Sequence, residues 1–136
     1  MKVVICGSMT ASKEMVEAEK ALVEFGHVVV LPEFTHEYAT METFDRMHSE
    51  SARNKVEYDL ITNYYHKIKE SDAILVINVS RKNISNYIGG NSFLEMGFAH
   101  ILNKKIFLLN PTPEMGYLDE IMAMKPIIIN GDYSKI

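Results

Sequence analysis

The chain has a single cysteine, Cys6, among its 136 residues. It can form no internal disulfide and no paired-cysteine metal site, and this usage points to a reducing, cytosolic setting. An excess of basic residues is also missing, since the net charge is −4. That argues against sequence-independent binding to polymeric nucleic acid, although a nucleotide could still bind locally. No apolar run is long enough to span a membrane. The amino terminus opens directly on strand-like Val3–Cys6, with no cleavable signal pattern. The expectation is a soluble cytoplasmic protein. His27, His36, His48, His66 and His100 never fall at zinc-motif spacing, so no metal is expected. Walker A, G-x-G-x-x-G and G-x-S-x-G patterns are all absent, and no cofactor is expected.

What the sequence does have is enough apolar content, 47%, to build a core, against 24% charged residues. We read residues 1–136 as one domain. Short apolar runs recur at Val3–Cys6, His27–Leu31, Ala73–Val79, Ile106–Leu109 and Ile127–Ile129. They are nearly continuous rather than alternating, the pattern of parallel strands buried on both faces. Helical stripes lie between them: Met15, Ala18, Leu22 and Phe25 with Gly26 as a stop, then Val56, Leu60, Tyr64 and Ile68. Glu95–Leu102, closed by Asn103, and part of Met115–Met124 complete the set. Strand–helix alternation implies right-handed βαβ units in a doubly wound, mainly parallel sheet of about five strands. The long connection Pro32–Asn54 carries Glu33, Phe34, His36, Phe44, Asp45 and His48, and reads as a partly helical lid.

In such a sheet, ligands bind outside the carboxyl ends of the strands. Three loops should meet there: Gly7–Thr10, Asn78–Ser92 and Asn110–Gly116. Glu95 stands out in the segment Tyr87-Ile88-Gly89-Gly90-Asn91-Ser92-Phe93-Leu94-Glu95. Two readings compete. Ser92-Phe93-Leu94-Glu95 fits a capping box, with Ser92 as N-cap. Alternatively, the helix start holds an ionised carboxylate facing the crevice, as covalent glycosyl chemistry requires. The turn after the first strand offers hydroxyls and amides to a phosphate or sugar, or else Thr10 or Ser12 simply caps a helix. Cys6, inside an apolar strand, is set aside as a nucleophile.

The order of these pieces resembles the nucleoside 2-deoxyribosyltransferase-like superfamily. The resemblance covers most of the chain. It begins in Val4-Ile5-Cys6-Gly7-Ser8-Met9, continues in Ser71-Asp72-Ala73-Ile74-Leu75-Val76, and is strongest in Gly89–Ala99 followed by Asn103-Lys104-Lys105-Ile106. It implies a flavodoxin-like domain that cleaves or exchanges the N-glycosidic bond of a nucleoside or nucleotide. Glu95 matches the family nucleophile. Gly7, Ser8 and Met9 would line the sugar or its 5′ end. Gly89, Gly90, Asn91 and Ser92 would form the sugar-side loop, with Tyr87 beside them. Family members commonly form homo-oligomers. Two departures stand out: Ser85-Asn86-Tyr87-Ile88 replaces an aspartate-bearing stretch, and Ile5-Cys6 stands where many members place a tyrosine. Hydrolysis of a nucleotide or modified nucleoside therefore stands beside transfer. The alternative is a binding module for a nucleotide or nucleotide-sugar that performs no chemistry.

Overall fold

A computed structural model describes residues 1–40 and 59–136. Five strands run in parallel: β1 (Lys2–Cys6), β2 (Val28–Val30), β3 (Ala73–Val76), β4 (Lys105–Leu108) and β5 (Ile127–Ile128). Their order is β2-β1-β3-β4-β5. The chain winds outward from β1 to β2, then returns to the other side of β1 and winds the opposite way. This is the doubly wound, flavodoxin-like order, and its direction changes between β1 and β3. A ligand crevice is therefore expected above Cys6 and Val76, the paired last residues of these strands.

Alternation within the strands distributes the core. Val4 and Cys6 of β1 and Ile74 and Val76 of β3 face one side. They pack under α3 (Leu60–Lys69) and α4 (Gly90–Ile101), through Tyr64, Ile68, Met96 and Ala99. Val3, Ile5, Ala73 and Leu75 face the other side, under Met15, Ala18 and Leu22 of α1 (Ser12–Glu24). Both faces of the central strands are thus covered, which is why their sequence reads as unbroken apolar runs. A helical turn, α2 (Thr35–Tyr38), follows β2, and a short helix, α5 (Leu118–Ala123), precedes β5. Of the expected lid, this turn is what the described residues contain. Phe44, Asp45 and His48, like Val56 of the helical stripe, lie outside them. No helix among the described residues is long and apolar enough to cross a membrane.

Helix ends follow local chemistry. Gly26 takes φ +87° after α1, where the His27 amide donates to the Leu22 carbonyl at 3.1 Å and the Gly26 amide to that of Val23 at 2.9 Å. Asn103 does the same after α4 at φ 56°, with the Lys104 amide on the Ala99 carbonyl. These are Schellman closures, in which a left-handed residue lets the last carbonyls find donors.

The start of α4 corrects the sequence reading. The helix begins at Gly90 with Gly89 as N-cap, not at Ser92. Ser92 lies inside the first turn and is buried. Glu95 sits in the second turn, so the Ser92–Glu95 capping box does not form. The β1–α1 connection differs likewise: Ser8, not Thr10 or Ser12, caps a short 3-10 turn by accepting from the Thr10 amide.

Gly26→Ala is expected to destabilise the fold by about 1 kcal/mol, because a Cβ is disfavoured at positive φ although open space surrounds it. Ile74→Ala, at a fully buried central-strand position, should cost roughly 2–5 kcal/mol. Urea unfolding of both variants checks the ranking.

Candidate active site

A cleft, partly open to solvent, lies above the carboxyl ends of β1 and β2. One wall is a single stripe of α4: Asn91, Leu94, Glu95 and Phe98. Their spacing of three and four residues puts them on one helix face. The opposite wall is α3, through Leu60, Ile61, Asn63, Tyr64 and Lys67. Pro32, Glu33 and Tyr38 close one side, and Gly7 and Met9 of the turn after β1 form the base. Most of this lining is apolar or aromatic. Lys67 pairs with Glu33 at 2.9 Å, tying α3 to the segment after β2 across one rim.

Beneath Glu95 lies a buried polar cluster. The Cys6 thiol lies close enough to Glu95 to feel its charge. Burial pushes the Cys6 thiol well above its ordinary range, and the neighbouring Glu95 pushes it further. Tyr64 is buried beside it and also held well above the usual phenol range, first by burial and then by Cys6 and Glu95. Its hydroxyl donates to the Ile5 carbonyl. Cys6 and Tyr64 therefore stay protonated around neutral pH, and an inert, uncharged Cys6 agrees with setting it aside as a nucleophile.

Gly7 has a packing role as well as its place in the cleft. A Cβ there would meet Met15 Cε at 3.0 Å and Ile77 Cβ at 3.3 Å. A side chain there would need Met15 and Ile77 to give by a few tenths of an ångström.

The candidate residues divide between two crevices. Gly7, Met9 and Asn91 share the cleft with Glu95. Ser8 and Tyr87 face a second crevice on the α1 side, with Thr10, Glu14 and Arg81. There Arg81 donates to the Ser8 hydroxyl at 2.7 Å and stands 5.9 Å from the Tyr87 ring centroid, with Lys82 at 5.6 Å. Gly89 and Gly90 cap and open α4, and Ser92 is buried within it; these three line neither crevice. His36 is exposed and pairs with Glu19 of α1 at 3.3 Å, away from the cleft. His100 is exposed at the end of α4.

The other two loops lock onto each other. Asn78, fully buried, donates to the Asn110 and Pro111 carbonyls and accepts from the Asn110 amide, all within 3.0 Å. Tyr117 donates to the Ile88 carbonyl, and its ring stacks on Phe93 at 4.4 Å. The loop leading into α4 is thus fixed by the β4–α5 connection.

Sequence reasoning missed Cys6 as a neighbour of Glu95, and missed Tyr64, Arg81 and Asn78. One signal was available: Cys6 directly precedes a glycine turn at a strand's carboxyl end, where side chains meet the crevice. Among the described residues, no group of three or more His, Cys, Asp or Glu side chains could hold a metal ion. Profiles of protein families, curated proteins and solved structures give no match to this chain.

Burial of neutral Cys6 and Tyr64 ties stability to pH. A group whose folded pKa is raised keeps its proton longer in the folded state, so its contribution is complete below the unfolded pKa and fades above it. For Cys6 the loss begins near pH ~8.5 and is at most about 1.4 kcal/mol per pH unit. Urea midpoints should fall between pH 8.5 and 10, and less steeply in Cys6→Val. Parallel slopes in the two proteins would contradict the neutral, buried thiol.

Proposed function

We propose that this chain cleaves or transfers the N-glycosidic bond of a nucleoside or nucleotide, with Glu95 as nucleophile, as a member of the nucleoside 2-deoxyribosyltransferase-like superfamily. The observation that carries the reading is the Glu95 carboxylate set into a largely apolar, aromatic-lined cleft beside the glycine turn of β1. Tyr38, Tyr64 and Phe98 give that lining flat, apolar surface suited to a base, and the Asn91 amide suits sugar hydroxyls. Poor solvation inside such a cleft strengthens the attraction between a carboxylate and an oxocarbenium-like centre.

Glu95 attacks the anomeric carbon, forming a glycosyl ester as the carbon–nitrogen bond breaks. The base leaves with the bonding electron pair and takes a proton from solvent. Water, or a second base, then attacks the same carbon and releases the carboxylate. The reading is of a cytoplasmic protein that binds a small nucleoside or nucleotide. It further takes the protein as a homo-oligomer, since Ile61 and Leu94 leave apolar surface exposed at the cleft.

Ribo- and deoxyribonucleosides and their 5′-monophosphates, with and without an acceptor base, form the test panel. Chromatography should detect free or exchanged base, reduced roughly a thousandfold or more in Glu95→Ala with the fold retained. Silence across the panel, together with thermal stabilisation by a nucleotide, would replace the enzyme by a non-catalytic nucleotide- or nucleotide-sugar-binding module.

A further inference from the structure

We propose that the crevice on the α1 side of the turn after β1 is a second binding site, which takes a small zwitterion with its ammonium on Glu14 and its acid group at Arg81. The site is separate from the Glu95 cleft: Gly7 and Met9 line that cleft, whereas Ser8 and Thr10 line this crevice. It lies where the winding changes direction between β1 and β3, since Ser8 follows β1 while Ile77 and Val79 follow β3. Open parallel sheets gather ligands at such a point. The proposal does not depend on the glycosidic reading.

The observation that points to a ligand is at Glu14. Its Oε2 atom is buried and has no hydrogen-bond partner among the described residues. Glu14 stands in the first turn of α1, where an acid can reach back to the N-cap amide. That amide, of Ala11, already donates to the Ser8 carbonyl at 2.8 Å. The helix dipole favours an acid at this place but leaves Oε2 without a hydrogen bond. A buried carboxylate oxygen without a donor is costly. A hydroxyl from an occupant would supply the bond alone, whereas an ammonium supplies the bond and the opposite charge. The other part of the lining is positive. Arg81 donates to the Ser8 hydroxyl at 2.7 Å, which holds its guanidinium at the crevice. Lys82 Nζ stands 5.6 Å from the ring centroid of Tyr87, itself a lining residue. These two cations suit an acid group. A simple anion would meet the Glu14 carboxylate and a simple cation the Arg81 guanidinium, so a molecule carrying both signs matches the lining. The crevice volume is about 210 Å³. That is below the roughly 300–1,000 Å³ of sites for drug-sized ligands, and suits a molecule of amino-acid size rather than a nucleotide. Ala11, Ile77 and Val79 supply apolar surface for the carbon chain between the two charges.

The test titrates the full chain, labelled with nitrogen-15, with glycine, β-alanine and γ-aminobutyrate, whose two charges lie progressively further apart. Acetate and ethylamine present each end alone, and inorganic phosphate presents a simple anion. Amide shifts should concentrate at Thr10, Ala11, Glu14, Arg81 and Tyr87. At least one zwitterion should bind about tenfold or more tightly than acetate, ethylamine or phosphate. Glu14→Gln should weaken that zwitterion about tenfold to a hundredfold without weakening acetate, and Arg81→Gln should weaken both. The wild-type panel decides alone if either variant fails to fold. The proposal is overturned if no zwitterion moves these amides at tens of millimolar, or if the shifts gather at Asn91 and Glu95. Phosphate as the tightest probe, or a Glu14→Gln protein that binds the zwitterion like wild type, overturns it equally. Binding is read without turnover, so a protein that releases no base would sink the glycosidic reading and leave this result standing.

Discussion

The carboxyl end of β1 is the constraint on which the rest of the structure depends. Two consecutive residues there each hold a separate part of the molecule. The Ile5 carbonyl accepts the Tyr64 hydroxyl and so anchors α3. The Cys6 carbonyl accepts the Ile77 amide at 2.8 Å, carrying the β1–β3 ladder past the last strand residue. The Cys6 side chain joins the core cluster that includes Met96 and Ala99 of α4. Gly7 then turns the chain away, against Ile77, into the base of the cleft. A displaced β1 would therefore move both cleft walls together. That coupling explains how a crevice between two helices can hold a carboxylate in a set direction: its walls are referenced to one strand.

Much of the fold was legible in the sequence, for a simple reason. Strands buried on both faces must be apolar at every position, and Val3–Cys6, Ala73–Val76 and Ile106–Leu108 are. Gly26 and Asn103 marked helix ends because few residues accept a left-handed conformation. The start of α4 was not legible. A glycine pair is a poor helix former, so the sequence placed the turn at Gly89–Ser92 and the helix after it. The stacking of Phe93 on Tyr117 and the burial of Ser92 belong to tertiary packing. That packing supports the first turn of α4 against propensity, and it arises from residues well away in the chain.

The site was legible residue by residue but not as an arrangement. Glu95, Asn91, Gly7 and Met9 do share a cleft. Ser8 and Tyr87 were read from the same motifs yet face the α1 side. The cause is local: the chain leaves β1 at Gly7 in the cleft and then coils into a 3-10 turn whose Ser8 cap and Thr10 line the other crevice. A motif read as a string cannot show this division. Nor can it place Cys6 near Glu95, because their proximity depends on strand register and helix placement.

The division of the turn also bears on how the cleft can select a ligand. The hydroxyls of Ser8 and Thr10, bonded to each other at 2.9 Å, lie with Arg81 on the far side. On the side of Glu95, the turn contributes Gly7 and the apolar Met9. Among the described residues, polar groups beside the carboxylate therefore come from the backbone at Gly7, from Asn91, Asn63 and Lys67 of the two helices, and from Glu33. An apolar enclosure with few polar contacts discriminates poorly between ligands that differ by one hydroxyl, since rejection requires a buried polar group left unpaired. On the proposed glycosidic reading, selectivity between ribose and deoxyribose would rest on those few polar groups, and acceptance of bases on the shape of the aromatic lining, a broader filter than hydrogen bonding.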